Sequence, residues 1–165
     1  MEEQDIAEIL KIILDSLKDK EFLWRLESSA NLKIQGVEVS VNDLDITTDD
    51  RGIEIFRNIL KKYLVKDFFN KKTNSNSLIC EINGFEVEVN SYKDEQLLML
   101  DKTEKRLWND LQIPVLPLKY AKKFYELINP LTNLVISFMN FSVLFCHKSI
   151  SIPFILFILP CRIFL

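Results

Sequence analysis

The chain has few of the residues that build zinc sites, disulfide frameworks and histidine-based active sites. It contains three cysteines in 165 residues, and Cys80, Cys146 and Cys161 show no CxxC spacing. An odd number of cysteines without that spacing favours neither a disulfide framework nor a zinc site. The single histidine, His147, lies in an apolar C-terminal stretch and is interpreted as incidental rather than catalytic. We therefore expect a protein of a reducing compartment, the cytoplasm.

Positive charge is also scarce. Residues 1–130 contain 19 Lys and Arg against 24 Asp and Glu, a net charge of -5. This balance argues against a broad nucleic-acid-binding surface, so a small anion such as a nucleotide would need a metal ion or local basic groups. The first ten residues, MEEQDIAEIL, are acidic where a secretory signal peptide would be basic and then apolar. A chain of this length has room for one domain with one good core.

The apolar periodicity of residues 1–128 predicts a single mixed domain. Residues spaced three and four apart predict amphipathic helices over about 3–19, after the TTDD segment, and over about 117–128. Short apolar or alternating runs predict strands over about 21–27 and in VKDFFNKK, SLICEIN and FEVEVN, the last two joined by an Asn-Gly hairpin turn. Residues 91–111 are polar and receive no assignment. This order predicts an α+β fold, with a small mixed or antiparallel β-sheet and helices on one face.

Two aspartates in this domain are candidate metal ligands. Val37, Val39 and Val41 alternate on one side, but the phase then changes, so a bend near Asn42 is needed to keep Asp43 and Asp45 out of the core. Acids at i and i+2 on a strand share a face, with Cα atoms roughly 7 Å apart. Such a pair can bind Mg²⁺, with a third carboxylate from the polar face of FEVEVN, either Glu88 or Glu86. The alternative is an ordinary solvated strand face.

A serine pair precedes these acids. Ser28 and Ser29 follow the strand at 21–27 and begin a short helix that ends before Gly36. Backbone N–H groups and a hydroxyl at such a turn can hold a phosphate, although a serine pair is also an ordinary helix cap. The serine turn and the acids together indicate a phosphoryl- or nucleotidyl-transfer site.

The order of these residues resembles a known superfamily. The stretch ESSANLKIQGVEVSVNDLDI, with the residue before it, supplies Leu26, Ser28, Ser29, thirteen intervening residues and Asp43-Leu44-Asp45-Ile46. It resembles the motif of the DNA polymerase beta-like nucleotidyltransferases, in particular their minimal and aminoglycoside-nucleotidyltransferase-like members. In that motif an apolar residue, Gly, and then Gly or Ser precede an Asp-x-Asp or Asp-x-Glu pair. The resemblance covers about residues 20–128.

The resemblance implies a reaction and a role for each motif residue. Asp43, Asp45 and Glu88 would hold two Mg²⁺ ions, and the serine turn, chiefly Ser29, would meet the terminal phosphates of a nucleoside triphosphate. An acceptor hydroxyl would attack the α-phosphate, and pyrophosphate would leave. Two departures stand out in this sequence. Ser28 replaces the first motif glycine, and Lys33 stands near the position where minimal members often carry an arginine.

These departures leave two functions open. Either the chain transfers a nucleoside monophosphate to an unidentified hydroxyl acceptor, or it is a catalytically inactive binding module of the same fold. Such a module would bind a nucleotide or a protein partner, as the antitoxin of a toxin pair does. A third hypothesis comes from the other end of the chain and makes the protein a membrane-tethered adaptor.

The third hypothesis rests on residues 129–165, where the composition changes abruptly. Of the last 35 residues, 23 are apolar, and no charged residue occurs between Glu126 and Lys148. Pro153 and Pro160 interrupt the second apolar stretch. Three interpretations stay open: a membrane anchor, a packed extension of the core, and a non-native tail from a shifted or truncated reading frame. The predicted nucleotidyltransferase-like domain is therefore 1–128.

Overall fold

The computed structural model describes residues 1–128, which contain seven strands and five helices. The strands are β1 (Trp24–Glu27), β2 (Leu44–Thr48), β3 (Leu64–Asn70), β4 (Ser75–Ile82), β5 (Phe85–Tyr92), β6 (Glu104–Trp108) and β7 (Leu111–Val115). The helices are α1 (Glu3–Ser16), α2 (Ser28–Ile34), α3 (Asp50–Ile59), α4 (Glu95–Leu98) and α5 (Leu118–Ile128). Short 3-10 turns lie at Lys61–Tyr63 and Leu100–Lys102. The predicted α+β fold with a mixed sheet is confirmed.

All seven strands form one sheet in the order β3-β4-β5-β2-β1-β7-β6. The pairs β1/β2, β3/β4, β4/β5 and β6/β7 are antiparallel, whereas β2/β5 and β1/β7 are parallel. The motif strands β1 and β2 therefore lie near the centre of the sheet, and β5 lies beside β2. This order brings together three strands that are distant in sequence.

The main core lies between one face of the sheet and helices α1 and α3. Helix α1 buries Ile6, Ile9, Leu10 and Ile13, the three- and four-residue spacing of one helical face. The Asp5 carboxylate accepts the N–H of Glu2 at 2.8 Å and so caps the helix. The Asp49 carboxylate caps α3 by accepting the N–H of Gly52 at 2.6 Å.

Helices α4 and α5 contact the opposite face of the sheet, whereas the sequence analysis predicted helices on one face. Arg25 points away from its neighbours Trp24 and Leu26, which lie in the main core, because successive side chains of a strand alternate. The Arg25 guanidinium lies over the Phe124 ring of α5. A second cluster fills this side; its buried members are Leu32, Tyr92, Leu97, Met99, Leu116, Ala121 and Phe124. The central strands are thus covered on both faces near the serine turn.

Two segments differ from the sequence-based assignment for identifiable reasons. Residues 37–42 alternate but lie outside the sheet, and the chain bends at Asp43, one residue after the predicted position. The unassigned residues 91–111 contain α4 and β6, and β7 begins at Leu111. Their hairpin turns at Asn109 and Asp110, with φ of 47° and 61°, a left-handed pair typical of a two-residue turn. Pro114 obscured β7, because proline is unusual inside a strand.

The apolar tail lies outside the described residues. The three interpretations of residues 129–165, and the domain boundary at 128, stay predictions. Among residues 1–128 no helix has both the length and the apolar character needed to span a bilayer.

Candidate active site

Three acidic side chains form a row across the central strands. Glu27 of β1 is the register partner of Asp45 of β2, and Asp45 is the register partner of Glu88 of β5. Register partners project from the same face of a sheet, with Cβ atoms about 5 Å apart. We call Glu27, Asp45 and Glu88 the acid row. The sequence-predicted pair Asp45 and Glu88 is thus on neighbouring strands and on one face.

Asp43 completes the acidic cluster from the end of β2. It lies at the bend just before the strand, and both Asp43 and Asp45 are half-buried rather than enclosed in the core. The Asp43 charge raises the pKa of Asp45 and also that of Glu88. Asp43 therefore lies close enough to interact electrostatically with both Asp45 and Glu88. The i, i+2 spacing predicts this proximity for Asp45.

The acids are held where the ionised form is disfavoured. Burial, and next the Asp43 charge, raise the pKa of Asp45 to about 8. Burial also raises the pKa of Glu88, although a hydrogen bond from the Asn90 side chain opposes that shift. Burial raises the pKa of Glu27 to about 7, against the effect of Arg25. A cation among these carboxylates would reverse the shifts of Asp45 and Glu88.

The serine turn lies directly against the acid row. Ser28 follows Glu27 in the chain, and hydrogen bonding from its side chain lowers the pKa of Asp45. Its φ is +55°, in the left-handed region that glycine enters without a steric penalty. This left-handed φ is one that glycine, the residue of the motif at this position, adopts more easily than serine. Ser29 follows at the start of α2 and is half-buried.

Two tyrosines lie close to the same acids. Burial raises the pKa of Tyr92 and of Tyr125, and the charges of Asp45 and Glu27 raise both further. Hydrogen bonding from the Ser28 side chain acts on Tyr125 in the opposite direction. Helix α5, predicted over about 117–128, therefore brings the Tyr125 phenol to the serine turn.

Lys33 is directed elsewhere. Its ammonium group lies 3.6 Å from the Glu3 carboxylate of α1, and three quarters of the Lys33 side chain is buried. A role in phosphate binding stays a prediction, and it would require Lys33 to leave this ion pair. The basic group nearest the acid row in the described chain is instead Arg25, which pairs with Glu27.

Glu27 and Arg25 are the site residues that the sequence analysis missed. Both lie in the predicted buried strand, where charged side chains are rare unless they are paired. The signal available in the sequence was the pair of opposite charges at i and i+2, which places both groups on one face of β1. Their further partners, Leu97 and Phe124, are too distant in sequence to be found from a local pattern.

The donor set suits a hard divalent cation in its chemistry. In the absence of a cation, no group of three acidic, histidine or cysteine side chains within residues 1–128 converges to form a metal-binding cluster. The carboxylates of Asp43, Asp45 and Glu88 supply the oxygen ligands that Mg²⁺ prefers. Asp45 and Glu88 share one face of the sheet, and Asp43 lies just before β2. The fit to Mg²⁺ therefore rests on the type of donor and on the strand order.

Comparison with known proteins identifies the fold. No protein-family model matches the sequence, and no curated protein matches it either. A candidate nucleotidyltransferase from Thermotoga maritima matches in structure with a TM-score of 0.69 and 21% identity, over 90% of this chain and 97% of that chain. The chain has the nucleotidyltransferase fold. The fold that the resemblance implied is thereby confirmed.

Two further solved structures share this nucleotidyltransferase fold. ANT(2″)-Ia, solved in complex with adenylyl-2″-tobramycin, matches with a TM-score of 0.57 and 8% identity, over 86% of this chain and 90% of that chain. The lincosamide antibiotic adenylyltransferase LnuA, solved with lincomycin, matches with a TM-score of 0.53 and 13% identity, over 79% of this chain and 90% of that chain. At these identities the comparison extends to the fold, so the roles of Asp43, Asp45, Glu88, Ser28 and Ser29 stay predictions.

Proposed function

We propose that this chain is a Mg²⁺-dependent nucleotidyltransferase that moves a nucleoside monophosphate from a nucleoside triphosphate to a hydroxyl acceptor. The observation that carries the proposal is the register of Asp45 with Glu88 on parallel neighbouring strands, directly beside the left-handed turn at Ser28. The nucleotidyltransferase fold supports it, since two enzymes with that fold are adenylyltransferases or hold an adenylylated product.

Each residue has a role in this proposal. Asp43, Asp45 and Glu88 would hold the Mg²⁺ ions, which would supply charge that lowers the pKa of the acceptor hydroxyl and offsets charge on the α-phosphate and the leaving pyrophosphate. The turn at Ser28 presents backbone N–H groups, and Ser29 also its hydroxyl, to the β- and γ-phosphates. The acceptor oxygen forms a bond to the α-phosphorus as the bond to pyrophosphate breaks, and Glu88 accepts the hydroxyl proton.

Nucleotide binding tests the site without knowledge of the acceptor. We expect the full chain to bind a non-hydrolysable nucleoside triphosphate analogue only when Mg²⁺ is present, as measured by calorimetry. Asp43→Ala/Asp45→Ala should abolish this binding. Glu86→Gln tests the alternative third carboxylate and serves as the control: Glu86 lies two residues from half-buried Glu88 on the same strand but is exposed, so binding should survive its replacement. Binding that survives in the double alanine variant would contradict the assigned site.

Transfer is the second measurement. Incubation of the chain with α-labelled nucleoside triphosphates, Mg²⁺ and candidate hydroxyl acceptors should give a labelled acceptor and free pyrophosphate. An aminoglycoside and a lincosamide are reasonable first acceptors, because structures with the same fold contain adenylyl-2″-tobramycin and lincomycin. Loss of the label transfer in Asp43→Ala/Asp45→Ala, with retention in Glu86→Gln, is the expected result.

The alternative function is a binding module of the same fold without catalysis. Ser28 is the residue that favours this alternative. Its backbone has a left-handed φ, and its side chain hydrogen bonds to Asp45, a predicted metal ligand. The ion pair between Lys33 and Glu3 points the same way, because it removes a basic group from the phosphates. Mg²⁺-dependent nucleotide binding without transfer to any acceptor, including protein hydroxyls, would support the module over the enzyme.

A further inference from the structure

A buried ion pair borders the acid row. Arg25 is 0% exposed and Glu27 is 2% exposed, and they are the two fully buried charged residues among residues 1–128. The Arg25 Nε donates a hydrogen bond to Glu27 Oε1. Burying two charges carries a desolvation penalty that often equals or exceeds their attraction, so such a pair is a weak device for stability. Stability of the fold alone therefore does not account for its presence.

Further contacts of Arg25 fix the pair in place. Arg25 Nη2 donates to the Leu97 carbonyl of α4 at 2.9 Å, and the guanidinium lies 5.9 Å from the centre of the Phe124 ring of α5. Arg25 Nη1 is buried without a hydrogen-bond partner. The guanidinium is thus held between β1, α4 and α5, which leaves its ion pair with Glu27 little freedom to move.

The pair lies where it alters the charge of the predicted cation site. Glu27 is the register partner of Asp45, and its charge raises the pKa of Asp45. With Glu27 ionised and unpaired, the cluster would contain a fourth negative charge beside Asp43, Asp45 and Glu88. The guanidinium offsets that fourth charge. Arg25 without Glu27 would instead place an uncompensated positive charge beside the acids.

We propose that Arg25 is a positioning residue that holds Glu27 beside Asp45 and thereby sets the net charge a divalent cation meets at the acid row. The inference rests on the proposed function, because it takes Asp43, Asp45 and Glu88 as the cation ligands. Glu27 is not a ligand in this arrangement; it balances Arg25. The cation affinity then depends on the net charge of the Arg25–Glu27 pair. It is the same when both charges are present as when both are removed, and it changes when only one of them is removed.

Three variants separate these states. Glu27→Gln leaves the Arg25 charge uncompensated about 10 Å from the cation and should weaken Mn²⁺ binding by about tenfold. Arg25→Gln leaves Glu27 unpaired and should tighten binding by a smaller factor, because an unpaired buried carboxylate is largely protonated until the cation binds; it also costs much stability. Arg25→Gln/Glu27→Gln removes both charges, leaves an amide side chain at each position, and should restore the affinity to near that of the unmodified chain.

The experiment is titration of the full chain with Mn²⁺ alone, followed by electron paramagnetic resonance, with thermal unfolding measured on the same samples. Asp67→Asn is the control; it breaks the Arg57–Asp67 pair, an ion pair between α3 and β3. Weaker binding in Glu27→Gln that recovers in the double variant supports the inference. Melting temperatures that change while Mn²⁺ affinity stays constant in Glu27→Gln and the double variant would overturn it.

Failure of the proposed function gives a different result. If Asp43→Ala/Asp45→Ala binds Mn²⁺ as the unmodified chain does, the cation does not bind at the acid row, and both proposals fall. If that variant loses Mn²⁺ binding but Glu27→Gln does not weaken it, the site stands and only the role of Arg25 is wrong. An Arg25→Gln chain that does not fold leaves the comparison of Glu27→Gln with the double variant decisive.

Discussion

Replacing Ser28 by glycine and, separately, by alanine tests whether the turn before α2 is truly left-handed. At φ +55° a residue with a Cβ atom is strained by about 1 to 2 kcal/mol relative to glycine. Glycine also increases the freedom of the unfolded chain, which offsets about 0.4 to 1 kcal/mol of that gain. Alanine keeps the strain and loses the hydroxyl that acts on Asp45. We therefore expect Ser28→Gly to be more stable than Ser28→Ala by about 1 kcal/mol.

Ser29 supplies the control, because its φ is not positive and it lies in the first turn of α2. At an ordinary helical position glycine destabilises a protein by about 0.5 to 1 kcal/mol relative to alanine. The order of the two variants should therefore reverse between positions 28 and 29. Urea denaturation of the four variants measures the free energies of unfolding. If Ser28→Ala is as stable as Ser28→Gly, the turn is not left-handed and the account of the motif position is wrong.

The same pair of variants bears on function. Glycine at position 28 removes the side chain that hydrogen bonds toward Asp45 and lets a phosphate approach the backbone closely. Ser28→Gly should thus bind the nucleoside triphosphate analogue at least as tightly as the unmodified chain. Weaker binding in Ser28→Gly and also in Ser28→Ala would instead make the Ser28 hydroxyl a ligand for the nucleotide.

Three other predictions concern pH and packing. The pKa of Asp45 is about 8 in the folded state and about 4 in an unfolded chain, so the folded state binds more protons between these pH values. The free energy of unfolding should therefore fall as the pH rises from 5 to 8. Mg²⁺ should therefore raise the melting temperature more at pH 8 than at pH 6. Gly52→Ala should destabilise the fold by about 1 to 3 kcal/mol, because a Cβ atom would lie 1.8 Å from Thr48 Oγ1. Asn31→Ala should cost about 2 to 3 kcal/mol, since the buried Asn31 amide accepts the Leu116 N–H at 3.1 Å and donates to the Leu116 carbonyl at 3.0 Å.

Each of these has a control and a contrary result. Asp45→Asn should flatten the stability profile between pH 5 and 8, and an unchanged slope in that variant would assign the effect to another acid. Asn58→Ala, an exposed change on α3, is the control for Gly52→Ala; equal stability of the two variants would mean that α3 shifts freely away from Thr48. For Asn31→Ala, a loss of less than about 0.5 kcal/mol in urea denaturation would show that water replaces both hydrogen bonds.

The elements with strong local patterns were predictable from the sequence, and those set by distant partners were not. The spacing of Ile6, Ile9 and Ile13 defines α1 because one helical face must be buried, and the Asn-Gly turn defines the β4–β5 hairpin. In β7, by contrast, Pro114 contradicts the local preference of a strand, and pairing with β6 overrides it. The pairing of β2 with β5 joins residues more than 40 positions apart, so only the resemblance to a family could indicate it.

The same distinction applies within the candidate site. The alternation along β5 predicted Glu88 on the polar face of the strand. The change of phase before Leu44 predicted the bend that keeps Asp43 and Asp45 out of the core. Glu27 was overlooked because an acid is seldom buried in a strand unless a basic partner is buried beside it. That partner is Arg25, and the contacts that hold Arg25 come from α4 and α5. Ser28 was only partly predictable. The sequence identified it as a departure from the motif glycine, and the structure shows why serine is strained there, because the φ of Ser28 is left-handed. Because that strain costs about 1 kcal/mol, a fold of ordinary stability can tolerate serine there, and the substitution alone does not exclude activity.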